Sequence, residues 1–318
     1  MKTDGGSMNT LFFKYAIEVE RTRSITQAAE NLFMAQPNLS KAIKEMEDLL
    51  GFAVFERTSK GVIPTKKGNA FLEHAHNIVM QLDKIENIAQ NDKNNIQRLS
   101  ISIPRVSYIS KGITKLVGTL DQSKGINLNI QETNSMQTIN NLVKGTFNLG
   151  IIRYQELYEQ YFHNFLSERN LCFEVIWEFS YHVLFSKKHK LASKQNLVRE
   201  DLSESIEIIH GDNMIPYISN GKWDTEDQEI TKKRIYVYER GNQFELLSSI
   251  PSTYMWVSTI PDDMLQRFDL QQRKCNYPGN RYKDLLIYPK GYRFMELERR
   301  FIDKLYEAKN EVAFTEIE

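Results

Sequence analysis

The chain has 318 residues, of which 41% are hydrophobic and 26% charged; this suits a folded protein of more than one domain and excludes a disordered, collagen-like or disulfide-scaffold chain. Its 41 basic and 41 acidic side chains cancel, so any nucleic-acid partner has to be met by a local arrangement rather than by overall charge. No stretch approaches the roughly 18 uncharged apolar residues of a membrane helix, Met1 to Ser7 lacks the apolar segment of a signal peptide, and Cys172 and Cys275 are too few for a disulfide framework or a structural zinc site. A cytoplasmic, reducing setting is expected.

The first helix is marked by Leu11, Phe12, Tyr15, Ala16 and Val19 at spacings of three and four. After a break at Arg21-Thr22-Arg23-Ser24, with Ser24 or Thr26 available as a cap, a short second helix is predicted over Gln27 to Phe33, burying Ala28, Ala29 and Leu32. Pro37 then opens a third helix that ends at Gly51. Its buried stripe is Leu39, Ala42, Ile43, Met46, Leu49 and Leu50, which leaves Gln36, Asn38, Ser40, Lys41 and Lys44 outside at the leading end and Glu45, Glu47 and Asp48 toward the far end. Such polar groups suit base edges and phosphates, and equally a solvated helix face. Phe52 to Thr58 and Gly61 to Thr65, joined by Ser59-Lys60-Gly61, read as a hairpin.

Helix, turn, helix and hairpin in this order describe a winged helix-turn-helix. From Met8 to about Gln90 the chain resembles the DNA-binding region of the LysR-type transcriptional regulators. The resemblance is carried by Ser24-Ile25-Thr26-Gln27-Ala28-Ala29-Glu30-Asn31-Leu32, Gln36-Pro37-Asn38-Leu39-Ser40-Lys41-Ala42-Ile43, Leu50-Gly51, Phe55-Glu56-Arg57 and Pro64-Thr65-Lys66-Lys67-Gly68. One departure is Ala35, where the family often has a capping serine. The resemblance implies a helix-turn-helix over about Ile25 to Lys44. Thr26 belongs to this DNA-binding set, Gln36, Pro37, Asn38, Ser40, Lys41 and Lys44 would enter the major groove, and Arg57 and Lys60 on the wing would grip phosphate or the minor groove.

Downstream, Phe71, Ala75, Ile78, Leu82, Ile85 and Ala89 follow one another by 4, 3, 4, 3 and 4, a heptad seam. It fits a partner helix, with packing on its own domain as the other reading. His74 and His76 lie two apart on this helix and read as solvated. The resemblance implies a linker helix that joins subunits into a homodimer or homotetramer.

After the polar break Asn91 to Asn95, strands alternate with helices: Leu99 to Ile103, Ser110 to Leu120, Leu128 to Glu132, Met136 to Val143 and Phe147 to Ile152. This β-α-β rhythm predicts a parallel sheet. A second lobe is expected to open with a strand at Phe173 to Phe185, followed by Ile206 to Ile209, Ile235 to Tyr238, a helix at Gln243 to Ile250 and a strand at Met255 to Ser258; Leu285 to Tyr288 and the amphipathic Phe294 to Lys309 close the chain. Ser186 to Ala192 and Glu200-Asp201-Leu202 resemble the family's second-lobe signature, with Lys190 where proline is usual.

The expected fold class is therefore a multi-domain α+β protein with three parts: a winged helix-turn-helix (8–66), a dimerising linker helix (67–95) and a two-lobed α/β effector domain (96–318) like a type 2 periplasmic binding protein. Lobe I is placed at about 96–166 and 265–318, and lobe II at about 167–264. Ligands in such sheets sit beyond the carboxyl ends of strands. That rule selects Arg105, Ser107 and Tyr108, Thr133, Asn134 and Ser135, Arg153 and Tyr154, and, from the other lobe, His210, Arg240 and Asn242. Three arginines beside helix starts suggest an anionic effector such as a carboxylate, with solvated loop polarity as the alternative for any single residue.

The sequence has no nucleophile elbow, zinc-protease motif or phosphate-binding glycine loop, so neither catalysis nor a cofactor or metal is expected. Cys172 and Cys275 read as buried apolar thiols, since neither lies in a clearly basic motif. The leading expectation is a ligand-responsive transcription regulator acting on promoter DNA, with RNA polymerase as a further partner. The other is a solute-binding or enzymatic α/β protein whose helical dimerisation domain no longer reads DNA.

Overall fold

The computed structural model describes residues 8–59, 61–94, 96–212, 233–275 and 280–314 and divides into two compact units, the first made of residues up to 95 together with Val143–Thr146 and the second of Ile96–Leu142 and the residues from Phe147 onward. In the first unit, α1 (Thr10–Thr22) starts where the Asn9 carboxamide oxygen accepts from the Leu11 amide at 2.9 Å, and α2 (Ile25–Asn31) starts where Ser24 Oγ accepts from the Gln27 amide at 3.3 Å. Ser24 rather than Thr26 is thus the cap, so α2 begins and ends two residues earlier than its apolar spacing predicted. α3 (Gln36–Leu50) opens without a side-chain cap at Ala35 and stops at Gly51, whose φ of 73° a residue with a Cβ adopts only under strain.

Phe12, Ala16, Val19, Ala28, Ala29, Leu39, Ile43 and Met46 close one core with Val54 and Leu72. Leu49, assigned to the buried stripe from its spacing, is instead exposed at the last turn, where α3 has passed the edge of that core.

The wing is β1 (Phe55–Thr58) paired antiparallel with β2 (Gly61–Pro64), Arg57 facing Val62. Glu47 Oε1 accepts from the amides of Val54 and Phe55 at 2.7 and 2.9 Å, and the Val62 amide donates to the Arg23 carbonyl at 2.9 Å. An acid at the far end of α3 is therefore used to hold the wing. α4 (Lys66–Asn94) begins against it: a Cβ on Gly68 would lie 1.9 Å from the Val54 carbonyl oxygen, which makes glycine a steric requirement there.

The first turns of α4 pack on their own domain. Leu72 and Ala75 are buried, Phe71 stacks on Phe13 with ring centroids 5.9 Å apart, and His76 Nε2 lies 2.8 Å from Glu20 Oε2. His76 is thus partnered rather than solvated. Further along, Ile78 and Ile85 are 38% and 62% exposed, whereas the side chain of Ala89 lies outside the described ones.

The second unit holds two five-stranded sheets. In the first, β4 (Gly125–Glu132), β3 (Ile96–Ile103) and β5 (Leu149–Gln155) are parallel, and β12 (Arg281–Pro289) and β6 (Leu171–Ser180) extend the sheet antiparallel. In the second, β11 (Leu270–Arg273), β7 (His182–Ser186) and β10 (Thr253–Val257) are joined by antiparallel pairing, while β8 (Ile206–His210) and β9 (Arg234–Val237) run parallel to β10. The parallel arrangement predicted from the β-α-β rhythm holds for β3, β4 and β5, and the antiparallel β12 and β6 make the whole sheet mixed.

The single strand expected over Phe173 to Phe185 breaks at Tyr181, with β6 in the first sheet and β7 in the second. β11, placed with lobe I from the sequence, joins the second sheet. Both differences have one cause: strand partners are long-range, and local pattern does not say which sheet a run will enter. The helices are α5 (Ser107–Val117), α6 (Ser135–Val143), α7 (Glu159–Ser167), α8 (Gln243–Ser249), α9 (Asp262–Arg267) and α10 (Glu296–Ala313). α5 and α10 cover the first sheet with Tyr108, Ile109, Leu116, Phe301 and Leu305 in its core.

Candidate functional site

The leading end of α3 presents Pro37, Asn38, Lys41 and Lys44 to solvent, with Gln36 and Ser40 half-buried beside them. Thr26 on α2 and Arg57 on β1 are exposed as well, while Lys60 lies outside the described residues. Two acids that could oppose an incoming phosphate are turned inward. Glu47 holds the wing, and Glu18 accepts from Arg21 Nε at 2.9 Å and from Asn31 Nδ2 at 2.6 Å. With Pro37 lacking an amide hydrogen and no side chain capping the helix start, this edge can offer backbone polarity and cationic side chains together.

The second unit gathers the predicted arginines where its two sheets meet. Arg105 donates from both terminal nitrogens to Asp212 at 2.9 Å. Arg153 on β5 sits directly opposite Asp284 on β12 and donates to its two oxygens at 2.7 Å, then reaches Ser258 Oγ beyond β10 at 3.0 Å. A bulge in the register between Asp284 and Leu285 marks this point of the sheet. Arg240 lies 3.2 Å from Glu132 and donates to Ser110 Oγ. Its Nε and Nη2 are buried without a hydrogen-bond partner among the described residues, as are His210 Nδ1 and Gln243 Oε1.

Burial, followed by the fields of Arg105 and Arg153, lowers the proton affinity of Arg240 against the pull of Glu132. Burial with Arg105 alongside pushes His210 down to about 4, so its ring is neutral near pH 7.

Other expected effector contacts do different work. α5 starts earlier than predicted, so Ser107 and Tyr108 belong to the helix rather than to a loop. Ser107 is buried, and Tyr108 is fully buried with its hydroxyl donating to Asp284 at 2.6 Å. β5 likewise continues past Ile152, so Arg153 and Tyr154 alternate across the sheet. Tyr154 therefore stacks on Phe162 of α7, ring centroids 4.7 Å apart, and is a core residue. Asn134 Oδ1 accepts from the Gln137 amide at 2.8 Å, Ser135 Oγ donates to the Arg153 carbonyl at 2.6 Å, and Thr133 is buried. Asn242 is exposed and directly precedes α8, making no side-chain cap bond to it.

A family model described as the bacterial regulatory helix-turn-helix protein, lysR family, matches residues 12–69. The HTH-type transcriptional regulator YcgK of Bacillus subtilis is 39% identical over 101 residues, a match spanning 31% of either chain. Residues 12–69 belong to the LysR family of bacterial regulatory helix-turn-helix domains. Beyond the matched segment the fold agrees. The chain is similar to full-length CbnR complexed with its target DNA, at a TM-score of 0.55 and 15% identity over 95% of this chain and 100% of that one. It is also similar to LysG of Corynebacterium glutamicum with bound effector Arg, at a TM-score of 0.58 and 12% identity over 96% and 99% of the two chains.

Reading the sequence alone missed Asp212, Asp284, Glu132, Ser110 and Ser258. One signal could have found Asp284, a lone acid heading the apolar run Leu285-Leu286-Ile287, since a carboxylate there needs a buried partner. Cys275 is buried, which pushes its thiol up to about 11, away from a reactive thiolate, and Cys172 is half-buried on β6. No helix among the described residues is long and apolar enough to cross a membrane.

Proposed function

We propose that this LysR-type regulator reads an imperfect palindrome in promoter DNA as a dimer or tetramer in the cytoplasm, with RNA polymerase as the partner its DNA-bound form addresses. Residues 8–66 form the reading head, 67–95 the dimerising stalk and 96–318 the sensor. The observation that carries this reading is the α3 edge, where Pro37, Asn38, Lys41 and Lys44 are exposed while Glu47 and Glu18 are engaged elsewhere. In the groove, Gln36, Asn38 and Ser40 would meet base edges, and Thr26, Lys41, Lys44, Arg57 and Lys60 would meet phosphates. Dimerisation through α4 is supported by the exposed Ile78 and Ile85, which follow the turns already packed on the domain.

The sensor's ligand is an anionic small molecule such as a carboxylate, and Arg240 is its anchor. Arg105 and Arg153 are neutralised by Asp212 and Asp284, whereas Arg240, beside Glu132, retains two buried nitrogens, Nε and Nη2, with no acceptor among the described residues. An anion there would also offset the field of three neighbouring guanidinium groups. Footprinting on the DNA flanking the gene, with and without a panel of small organic acids, tests both halves. Protection of a two-fold site that an acid shifts in the wild type but not in Arg240→Gln is expected. No protection sinks the DNA reading; protection that only neutral or cationic compounds alter sinks the anion.

A further inference from the structure

The turn between α2 and α3 carries a side chain that the fold does not use. α2 closes with two bonds: the Met34 amide donates to the Ala29 carbonyl at 3.0 Å and the Phe33 amide to the Glu30 carbonyl at 3.1 Å. This paired closure places the residue just past the helix in the left-handed region, where glycine is usual because a Cβ crowds the following carbonyl. Here that residue is Phe33, with φ 53°. Met34, the next residue, packs against the domain core as the motif asks. Phe33 does not: it is 98% exposed and no ring stacks on it among the described residues. A strained backbone position and a fully solvated phenyl ring both count against phenylalanine, and nothing within the described chain compensates for either.

The surface beside Phe33 offers a use for the ring. Phe33 stands three residues before Gln36 and leads directly into the edge of Pro37, Asn38 and Lys41. We propose that Phe33 is a specificity-determining residue of the DNA interface, its ring packing on a thymine methyl group of each half-site. The proposal rests on the DNA reading above. Phenylalanine has no donor, so it discriminates by apolar contact, and the C5-methyl of thymine is the apolar group that the major groove offers. Because the contact neutralises no phosphate, it changes affinity without changing the response to salt.

The test uses the full-length protein and a duplex selected by it from random-sequence DNA. Binding is measured over a salt series for the wild type, Phe33→Ala, Phe33→Gly and, as a control, Lys41→Ala. Both Phe33 variants should bind about tenfold more weakly with an unchanged slope of log affinity on log salt, and Phe33→Gly should melt no lower than the wild type. Replacing thymine by uracil at one position per half-site should reproduce the loss in the wild type and add nothing to it in Phe33→Ala. Wild-type affinity in both variants overturns the proposal, as does additivity of every thymine replacement with Phe33→Ala. A matching fall in melting temperature for both variants also overturns it, since the ring would then be structural. If Lys41→Ala too leaves affinity and slope untouched, the DNA reading itself has failed.

Discussion

The amino-terminal unit leaves Lys41, Lys44 and Arg57 exposed and ties Glu18 and Glu47 into its own framework, whereas the second unit sinks Arg105 and Arg153 into ion pairs with Asp212 and Asp284. Cations in the first stay solvated, as the proposed contact with a phosphate backbone requires, with no desolvation cost in the free protein. In the second they join strands and lobes: Arg153 alone bridges β5, β12 and the residue after β10. A charge count over the whole chain averages these two uses to zero and conceals both.

The sharpest break of that contrast is Asp284→Ala. It strands the Arg153 guanidinium and the Tyr108 hydroxyl in a buried site, and loss of one partner of such a pair typically costs about 3–5 kcal/mol. Denaturant unfolding should show the effector unit destabilised while DNA binding by any folded fraction persists. Equal stability would mean that the pair contributes nothing to holding β5 and β12 together.

Gly68→Ala should do the reverse, harming the amino-terminal unit. Its Cβ would meet the Val54 carbonyl oxygen at 1.9 Å, and forced overpacking of this kind costs roughly 1–3 kcal/mol. Calorimetry should find the loss in the transition of the DNA-binding unit alone. Smallest, and opposite in sign, is Ala35→Ser. The added hydroxyl would accept from the Asn38 amide at the bare start of α3 and stabilise that unit by about 1 kcal/mol. A melting temperature that does not rise would show that the backbone bonds to the Ala35 carbonyl already suffice.

The same contrast explains what the sequence disclosed. α1 to α3 are set by local events, namely Ser24 as a cap, Pro37 in the first turn and Gly51 at the end, so their order and exposed edge were legible from neighbouring residues. In the second unit the informative contacts join residues far apart in the chain. Arg153 finds Asp284 131 positions away, and the chain on either side of Tyr181 enters different sheets because Phe179 of β6 pairs with Tyr282 and His182 of β7 with Val257. Shifts of a few residues in the bounds of α5 and β5 were enough to turn Tyr108 and Tyr154 from expected ligand contacts into core residues. Arg240 was found because loop position and charge coincide, but its two unpartnered nitrogens show only in three dimensions.

The central claim is that the α3 edge and the wing meet DNA phosphates, and the most direct measurement is the salt dependence of binding to a selected operator duplex. For Lys41→Ala and Arg57→Ala, each should weaken binding and flatten the slope of log affinity on log salt by about 1, and the double variant by about 2. Wild-type affinity and slope in both single variants would contradict the account.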